Sequence, residues 1–196
     1  MLQSDEAEWA RAVAADERAF GELFQRHHAR VFRHALRLVV VPADADDVMA
    51  AAFLELWRRR SVVRLVDGSV LPWLLATATN LSRNRVRGTV RYGRLLARLP
   101  HEAAVDAEES ATEALERREL RRRIGAALRR MSPVDTSLVT LTVLGGLTTA
   151  EAGAAVGVSP GAARMRLSRA RGRLRGLLDD LHDPAPDLRL AEGSAS

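Results

Sequence analysis

The sequence predicts an all-α protein made of two small helical domains joined by a flexible linker, and three observations lead there. Ala, Leu and Arg dominate the chain while aromatic residues make up only 4% of it, and residues of the first kind lose little conformational freedom in a helix. Apolar residues recur at three- and four-residue intervals from about Glu8 to Arg87 and again from about Glu113 to Leu181, the period of an amphipathic helix. The stretch between them has no sustained apolar period. A chain of 196 residues that is 47% hydrophobic can fill one medium core or two small ones.

In chain order, the N-terminal MLQSDEAEWARAVAADE is acidic and lacks the apolar run of a signal peptide. No apolar run in the chain approaches the roughly 18 residues of a membrane helix, so the protein is expected in the cytoplasm. Phe20-Gly21-Glu22-Leu23-Phe24 reads as core packing. Between Ala45 and Trp57 a projection at 100° per residue buries Met49, Phe53, Leu56 and Trp57 and turns Asp47, Ala51, Leu54, Glu55 and Arg58 to the other side. Trp73 to Asn80 continues as a helix into Arg83, Arg85 and Arg87, with Trp73 facing the core. The expected boundaries are 8–87 for the first domain, 88–112 for the linker, 113–181 for the second domain and 182–196 for a disordered tail. The linker opens with Arg91, Arg94 and Arg98 and then turns acidic through Glu102, Asp106, Glu108 and Glu109.

Helix punctuation is clearest in the second domain. Ser132-Pro133-Val134-Asp135 supplies a capping hydroxyl, Pro at the first helical position and a carboxylate in the first turn. Thr148-Thr149-Ala150-Glu151 is a capping box, and Gly157 stands where a helix from Thr149 to Val156 needs a left-handed terminating residue. Ser159-Pro160 opens a third helix with Ala163, Leu167, Ala170, Leu174, Leu178 and Leu181 at three- or four-residue spacing. A short helix, a tight Gly-containing turn and a longer basic helix make a helix-turn-helix.

The charge pattern points to nucleic acid. All 30 basic residues are Arg, the net charge is +5, and six Arg fall between Arg164 and Arg175, with a second basic group after Asn80. With Leu167 facing the core, Ala163, Ala170 and Leu174 join it. Ala162, Met165, Arg166, Arg169 and Arg173 face outward, and Arg164 and Arg171 lie on the flank nearer the core. In a helix-turn-helix the N-terminal part of the second helix reaches base edges, which selects Met165, Arg166 and Arg169 as base-contacting candidates.

Enzymatic chemistry finds no support. Cysteine is absent, which excludes disulfides and thiolate metal sites. His27, His28 and His34 with Asp44, Asp46 and Asp47 are the one set resembling a metal cluster, but adjacent histidines diverge by about 100° on a helix. No nucleophile–base arrangement or phosphate-cradling Gly loop is present. No cofactor or metal is expected.

The segment from Leu128 to Leu178 resembles region 4 of extracytoplasmic-function sigma factors, matching at Glu151, Gly157, Val158, Ser159, Arg166, Arg169, Ala170 and Arg171. It departs at Ala152-Gly153, where Ile-Ala is usual, and at Ala162, where Thr is usual. Ala45-Asp46-Asp47-Val48 through Phe53-Leu54-Glu55-Leu56-Trp57 resembles the region 2 motif A-E-D-L-V-Q-E-V-F-L-x-L-W, with Ala50 and Ala51 replacing Gln and Glu. Trp73-Leu74-Leu75-Ala76-Thr77-Ala78-Thr79-Asn80 with its following arginines resembles the family's minus-ten segment, with Asn84 replacing Asp.

The resemblance implies a non-enzymatic promoter-recognition subunit that binds core RNA polymerase and promoter DNA and is held by an anti-sigma factor. It implies polymerase contact through Asp47, Ala51, Leu54, Glu55 and Arg58. Binding and opening of the minus-ten element would fall to Asn80, Arg83, Asn84 and Arg87, and binding of the minus-thirty-five element to Ala162, Met165, Arg166, Arg169 and Arg173. The competing reading is a free-standing helix-turn-helix regulator with an N-terminal sensing domain.

Overall fold

The computed structural model describes residues 4–39, 41–96 and 130–179, with no account of side chains for residues 87–96 and 177–179. Among the described residues there are seven helices: α1 (Glu6–Val13), α2 (Glu17–Leu36), α3 (Ala43–Arg58), α4 (Leu71–Leu96), α5 (Pro133–Val143), α6 (Thr149–Val156) and α7 (Pro160–Asp179). The one β feature among them is an isolated bridge between Val66 and Ser69. The all-α expectation is met.

The first four helices enclose a core of Trp9, Leu23, Val31, Val48, Phe53, Leu56, Leu71, Leu74 and Leu75, all buried. Phe20 meets Trp57 at 5.0 Å between ring centroids and Phe24 meets Phe53 at 4.8 Å, both edge-on, so the Phe20–Phe24 opening is core packing as its spacing implies. Trp73 is half-buried against the same core. On α3 the buried line is Ala45, Val48, Ala52, Phe53 and Leu56. Met49 and Trp57 sit half-buried at its margin, which rotates the core face slightly from the one the sequence predicts.

The buried Asp5 ties this domain together. Its carboxylate accepts from Arg26 Nη1 (2.7 Å), His27 Nε2 (2.9 Å), Ser69 Oγ (2.7 Å) and the Val70 N–H (2.9 Å). Its own N–H donates to the Gly68 carbonyl at 2.8 Å. Burial alone would raise the Asp5 carboxyl, but the donors from His27, Ser69, Arg26 and Val70 outweigh it and hold the group far below the usual carboxylate range. The N-terminus is thereby fastened to the turn that launches α4.

His27 and His34, one face of the histidine set, are therefore internal hydrogen-bonding groups. Thr79 Oγ1 donates to the Leu75 carbonyl, so His34 Nε2 donates to Thr79 Oγ1 at 2.8 Å and the imidazole is neutral. Burial, aided by the Arg37 and Arg30 charges, pushes His34 down to about 4. A base whose folded-state pKa is depressed leaves the unfolded chain binding more protons between the two values, so stability falls as pH drops from about 6.5 towards 4. Urea unfolding should show the protein about 2 kcal/mol less stable at pH 5 than at pH 7. The His34→Gln variant should lose most of that difference; an unchanged pH dependence would assign it elsewhere.

In the second domain Ser132 Oγ accepts from the Asp135 N–H at 3.1 Å. Thr148 and Glu151 form the reciprocal capping box, and Gly157 terminates α6 with φ +77°. Leu138, Leu141, Leu147, Ala152, Ala163, Leu167 and Ala170 are buried. Gly153 marks the closest approach of α6 to α7: a Cβ there would lie 2.9 Å from Ala163 Cβ and 3.3 Å from the Val158 carbonyl. The small pair Ala152-Gly153 thus brings the two helices of the helix-turn-helix unusually near, and Gly153→Leu should destabilise this domain by about 1–3 kcal/mol by overpacking. Thermal unfolding measures it, with wild-type stability contradicting the close approach.

One boundary expectation falls within the described residues. Helix α4 runs on to Leu96, beyond Gly88 where the sequence predicts the linker to open. The rest of the expected linker, the start of the second domain and the expected tail lie outside the described residues.

Candidate nucleic-acid interface

Helix α7 divides into three exposed strips around its buried line. Met165 (63% exposed) and Arg169 lie opposite the core, in the half of the helix that follows the Ser159 cap. On one flank Arg173 is exposed but Arg166 is half-buried, its Nη1 donating to Asp135 Oδ1 at 2.9 Å. This corrects the outward position predicted for Arg166: α5 stands beside it and supplies a carboxylate. Burial alone would raise Asp135; the bonds from Arg166 and Ser132 outweigh it and hold the carboxyl below its ordinary value. Ala162 is half-buried on the same flank.

The opposite flank, where the sequence places Arg164 and Arg171, carries a second basic stripe. Arg164, Ser168, Arg171 and Arg175, at i, i+4, i+7 and i+11, line a cleft of about 410 Å³ together with Thr149, Leu167 and Gly172. Arg164 and Arg171 are exposed, on the flank beside Leu167 that the sequence predicts for them. No hydrogen bond or ion pair joins these three guanidinium groups to a described residue. The spacing was legible as a stripe; what assigns it a separate face is α6, whose first turn walls the cleft.

In the first domain, Asn80 and Asn84 are exposed on α4. Arg83 donates to Asn80 Oδ1 at 3.0 Å and to the Pro133 carbonyl at 3.1 Å. Arg87 lies on α4, its side chain outside the described residues. Arg85 bridges α4 to α3, with Nε 2.8 Å from Asp44 Oδ1 and Nη2 2.7 Å from Asp47 Oδ2. On the outer face of α3, Leu54 is 48% exposed, with Asp47 and Arg58 exposed and Ala51 and Glu55 half-buried around it. Arg58 and Arg59 both reach Glu55. The expected polymerase-contacting set therefore shares one surface, and the expected upstream set shares one helix.

Comparison with known proteins settles the family. Residues 23–92 match the model of Sigma-70 region 2 and residues 121–174 that of Sigma-70 region 4. RNA polymerase sigma factor CarQ of Myxococcus xanthus is 35% identical over 83% of this chain and 91% of its own length. The chain belongs to the RNA polymerase sigma factors, in the extracytoplasmic-function group. It is also similar to ECF RNA polymerase sigma factor SigK of Mycobacterium tuberculosis, at 27% identity over 91% of this chain and 96% of that protein. Among solved structures it resembles CnrH in complex with the cytosolic domain of CnrY, with a TM-score of 0.57, 26% identity, and coverage of 91% of this chain and 99% of that one.

The sigma factor directs promoter-specific transcription initiation by core RNA polymerase and binds promoter DNA. The free-standing regulator gives way to this assignment. Sigma factors are not enzymes. Among the described residues no group of His, Asp or Glu side chains is placed to hold a metal ion, and no helix is long and apolar enough to cross a membrane.

Proposed function

We propose that the first domain, residues 8–87, holds core polymerase through Asp47, Ala51, Leu54, Glu55 and Arg58 and takes the minus-ten element on Asn80, Arg83, Asn84 and Arg87. The second domain, residues 113–181, takes the minus-thirty-five element, with 88–112 as the linker between them. The protein works in the cytoplasm and itself catalyses no reaction. An anti-sigma factor restrains it, a reading supported by the likeness to CnrH, which is seen bound to the cytosolic domain of CnrY.

The observation that carries the DNA reading is the sorting of the α7 arginines. Met165 and Arg169, with Ala162 and Arg173 beside them, form the base-reading strip, where an Arg can grip guanine with two donors. Arg166 serves that strip from the side, its guanidinium oriented by Asp135. Arg164, Arg171 and Arg175, exposed and without a described partner, form a phosphate-binding flank with the Ser168 and Thr149 hydroxyls, matching the position of backbone contacts beside a recognition helix.

The two strips predict different losses. Arg171→Ala should weaken binding of the holoenzyme to all upstream sequences alike and reduce the slope of log affinity against log salt by about 1. Arg169→Ala should cost about 1–3 kcal/mol on the preferred element and little on others. Salt titrations on matched and scrambled elements decide it. Identical behaviour of the two variants would dissolve the division.

A further inference from the structure

We propose that Arg85 is a positioning residue that clamps the minus-ten helix α4 to the polymerase-holding helix α3, so that docking on core polymerase and presentation of the minus-ten surface depend on one side chain. The inference rests on the assignments proposed above for those two surfaces and adds the residue that joins them.

The sequence groups Arg85 with Arg83 and Arg87 in one basic run after Asn80, but the helix separates them. At about 100° per residue, Arg85 falls about 20° from Ala78 and about 60° from Ser82, and both of those are buried. It stands about 140° from Asn80 and about 160° from the helical position of Arg87. Arg85 therefore continues the core-facing line of α4, on the side away from the minus-ten set, to where that line passes the first turns of α3. Two carboxylates meet it there: Nε is 2.8 Å from Asp44 Oδ1 and Nη2 is 2.7 Å from Asp47 Oδ2. Asp44 and Asp47 are neighbours on one helix face, and a planar guanidinium with fixed donor directions bridges them where an ammonium would reach one.

The two carboxylates differ in exposure, and that difference gives the clamp its role. The Asp44 side chain is 22% exposed and that of Asp47 is 62% exposed. Asp47 opens the line of Asp47, Ala51, Leu54 and Arg58 assigned to polymerase contact. A carboxylate that open can hold Arg85 and meet polymerase at the same time. In the free chain the bridge is solvated and contributes little, as exposed ion pairs do. Docking over Asp47 excludes water from the pair and strengthens it, whereas without Arg85 the same docking would bury a carboxylate deprived of its partner. Tightening the clamp also fixes the rotation of α4 about its axis, and with it the direction in which Asn80 and Asn84 point. Polymerase binding and minus-ten binding therefore favour one another through Arg85.

The test uses the full chain with core polymerase. Arg85→Gln should lower affinity for core polymerase roughly tenfold. At saturating core, affinity of the complex for a single-stranded minus-ten oligonucleotide should fall about threefold or more, while the slope of log affinity against log salt keeps its unsubstituted value. Arg83→Gln, which removes a proposed strand contact, should instead lower that slope by about 0.7. Thermal unfolding of Arg85→Gln should stay within about 4 °C of the unsubstituted chain; a drop well beyond that would assign Arg85 to the fold instead. Arg85→Asp should bind core more weakly than Arg85→Gln. Combining it with Asp44→Arg, which reverses the pair and again places a guanidinium beside Asp47, should recover most of the core affinity. A salt slope lowered as in Arg83→Gln, with core affinity intact, would make Arg85 a plain phosphate contact and overturn the clamp. So would core and oligonucleotide affinities indifferent to Arg85→Gln, or a double variant no better than Arg85→Asp alone. An unsubstituted chain that did not bind core polymerase would overturn the polymerase assignment together with the clamp.

Discussion

Replacing Leu54 by Asp is expected to remove stable binding to core RNA polymerase while the chain stays folded. Leu54 is 48% exposed, and the opposite side of α3 already supplies the core through Val48, Ala52, Phe53 and Leu56, so the fold has no stake in it. A surface substitution of this kind changes stability by about 0.5 kcal/mol or less. Its surroundings are arranged as an interface centre: an apolar side chain ringed by Asp47, Glu55 and Arg58, with Asp47 pinned by Arg85 and Glu55 by two arginines. Burying such a Leu contributes about 1.5–3 kcal/mol, and a carboxylate in its place adds a desolvation cost. A loss of about 2–4 kcal/mol corresponds to roughly 30- to 1,000-fold in affinity. Fluorescence titration of labelled protein with core polymerase measures it. Affinity equal to that of the unsubstituted chain would move the polymerase contact off this helix, and Ala50 and Ala51, which replace the family's Gln and Glu, make Leu54 the more dominant anchor.

Asp5→Ala should produce the largest loss of stability, about 3–5 kcal/mol. The carboxylate is wholly buried, and its removal leaves the donors of His27, Ser69 and Val70 without their acceptor and takes from Arg26 one of its two carboxylate partners, Glu8 remaining. The depressed pKa fixes the sign of the pH dependence: the stabilisation is present above the ordinary carboxylate range and disappears as pH falls through the folded-state value. Chemical unfolding at pH 7 should show the loss, and an Asp5→Asn variant, which keeps the size but not the charge, should fail to restore it. Because Ser69 and Val70 lead into α4, the same variant should also weaken minus-ten binding before it unfolds the domain. Stability within about 1 kcal/mol of the unsubstituted protein would mean that water or neighbouring groups take over the four donors.

The sequence carried what is local. The Ser132 cap, the capping box at Thr148 and Glu151 and the left-handed Gly157 are decided within a few residues and stand where their chemistry places them. The buried line of α7 follows from its period alone. What escaped is what distant residues decide. Asp5 meets His27 22 positions along the chain and Val70 65 positions along, and nothing in an acidic N-terminus marks one carboxylate as buried. Arg166 projects outward on an isolated helix, and only the placement of Asp135, 31 positions earlier, draws it back. The departure at Ala152-Gly153 was visible as a pair of small residues, but its meaning, a close approach of two helices, needs Ala163 across the contact. The Arg85 clamp is likewise invisible locally, since Asp47 stands 38 positions earlier on another helix.

The central claim is that this chain confers promoter choice on core polymerase, and the direct measurement is mapping of transcript 5′ ends made in vitro from genomic DNA by core polymerase with and without it. A discrete set of start sites sharing upstream and minus-ten sequences, present only with the chain and lost with Leu54→Asp, is the result expected. Start sites indifferent to its addition would contradict it.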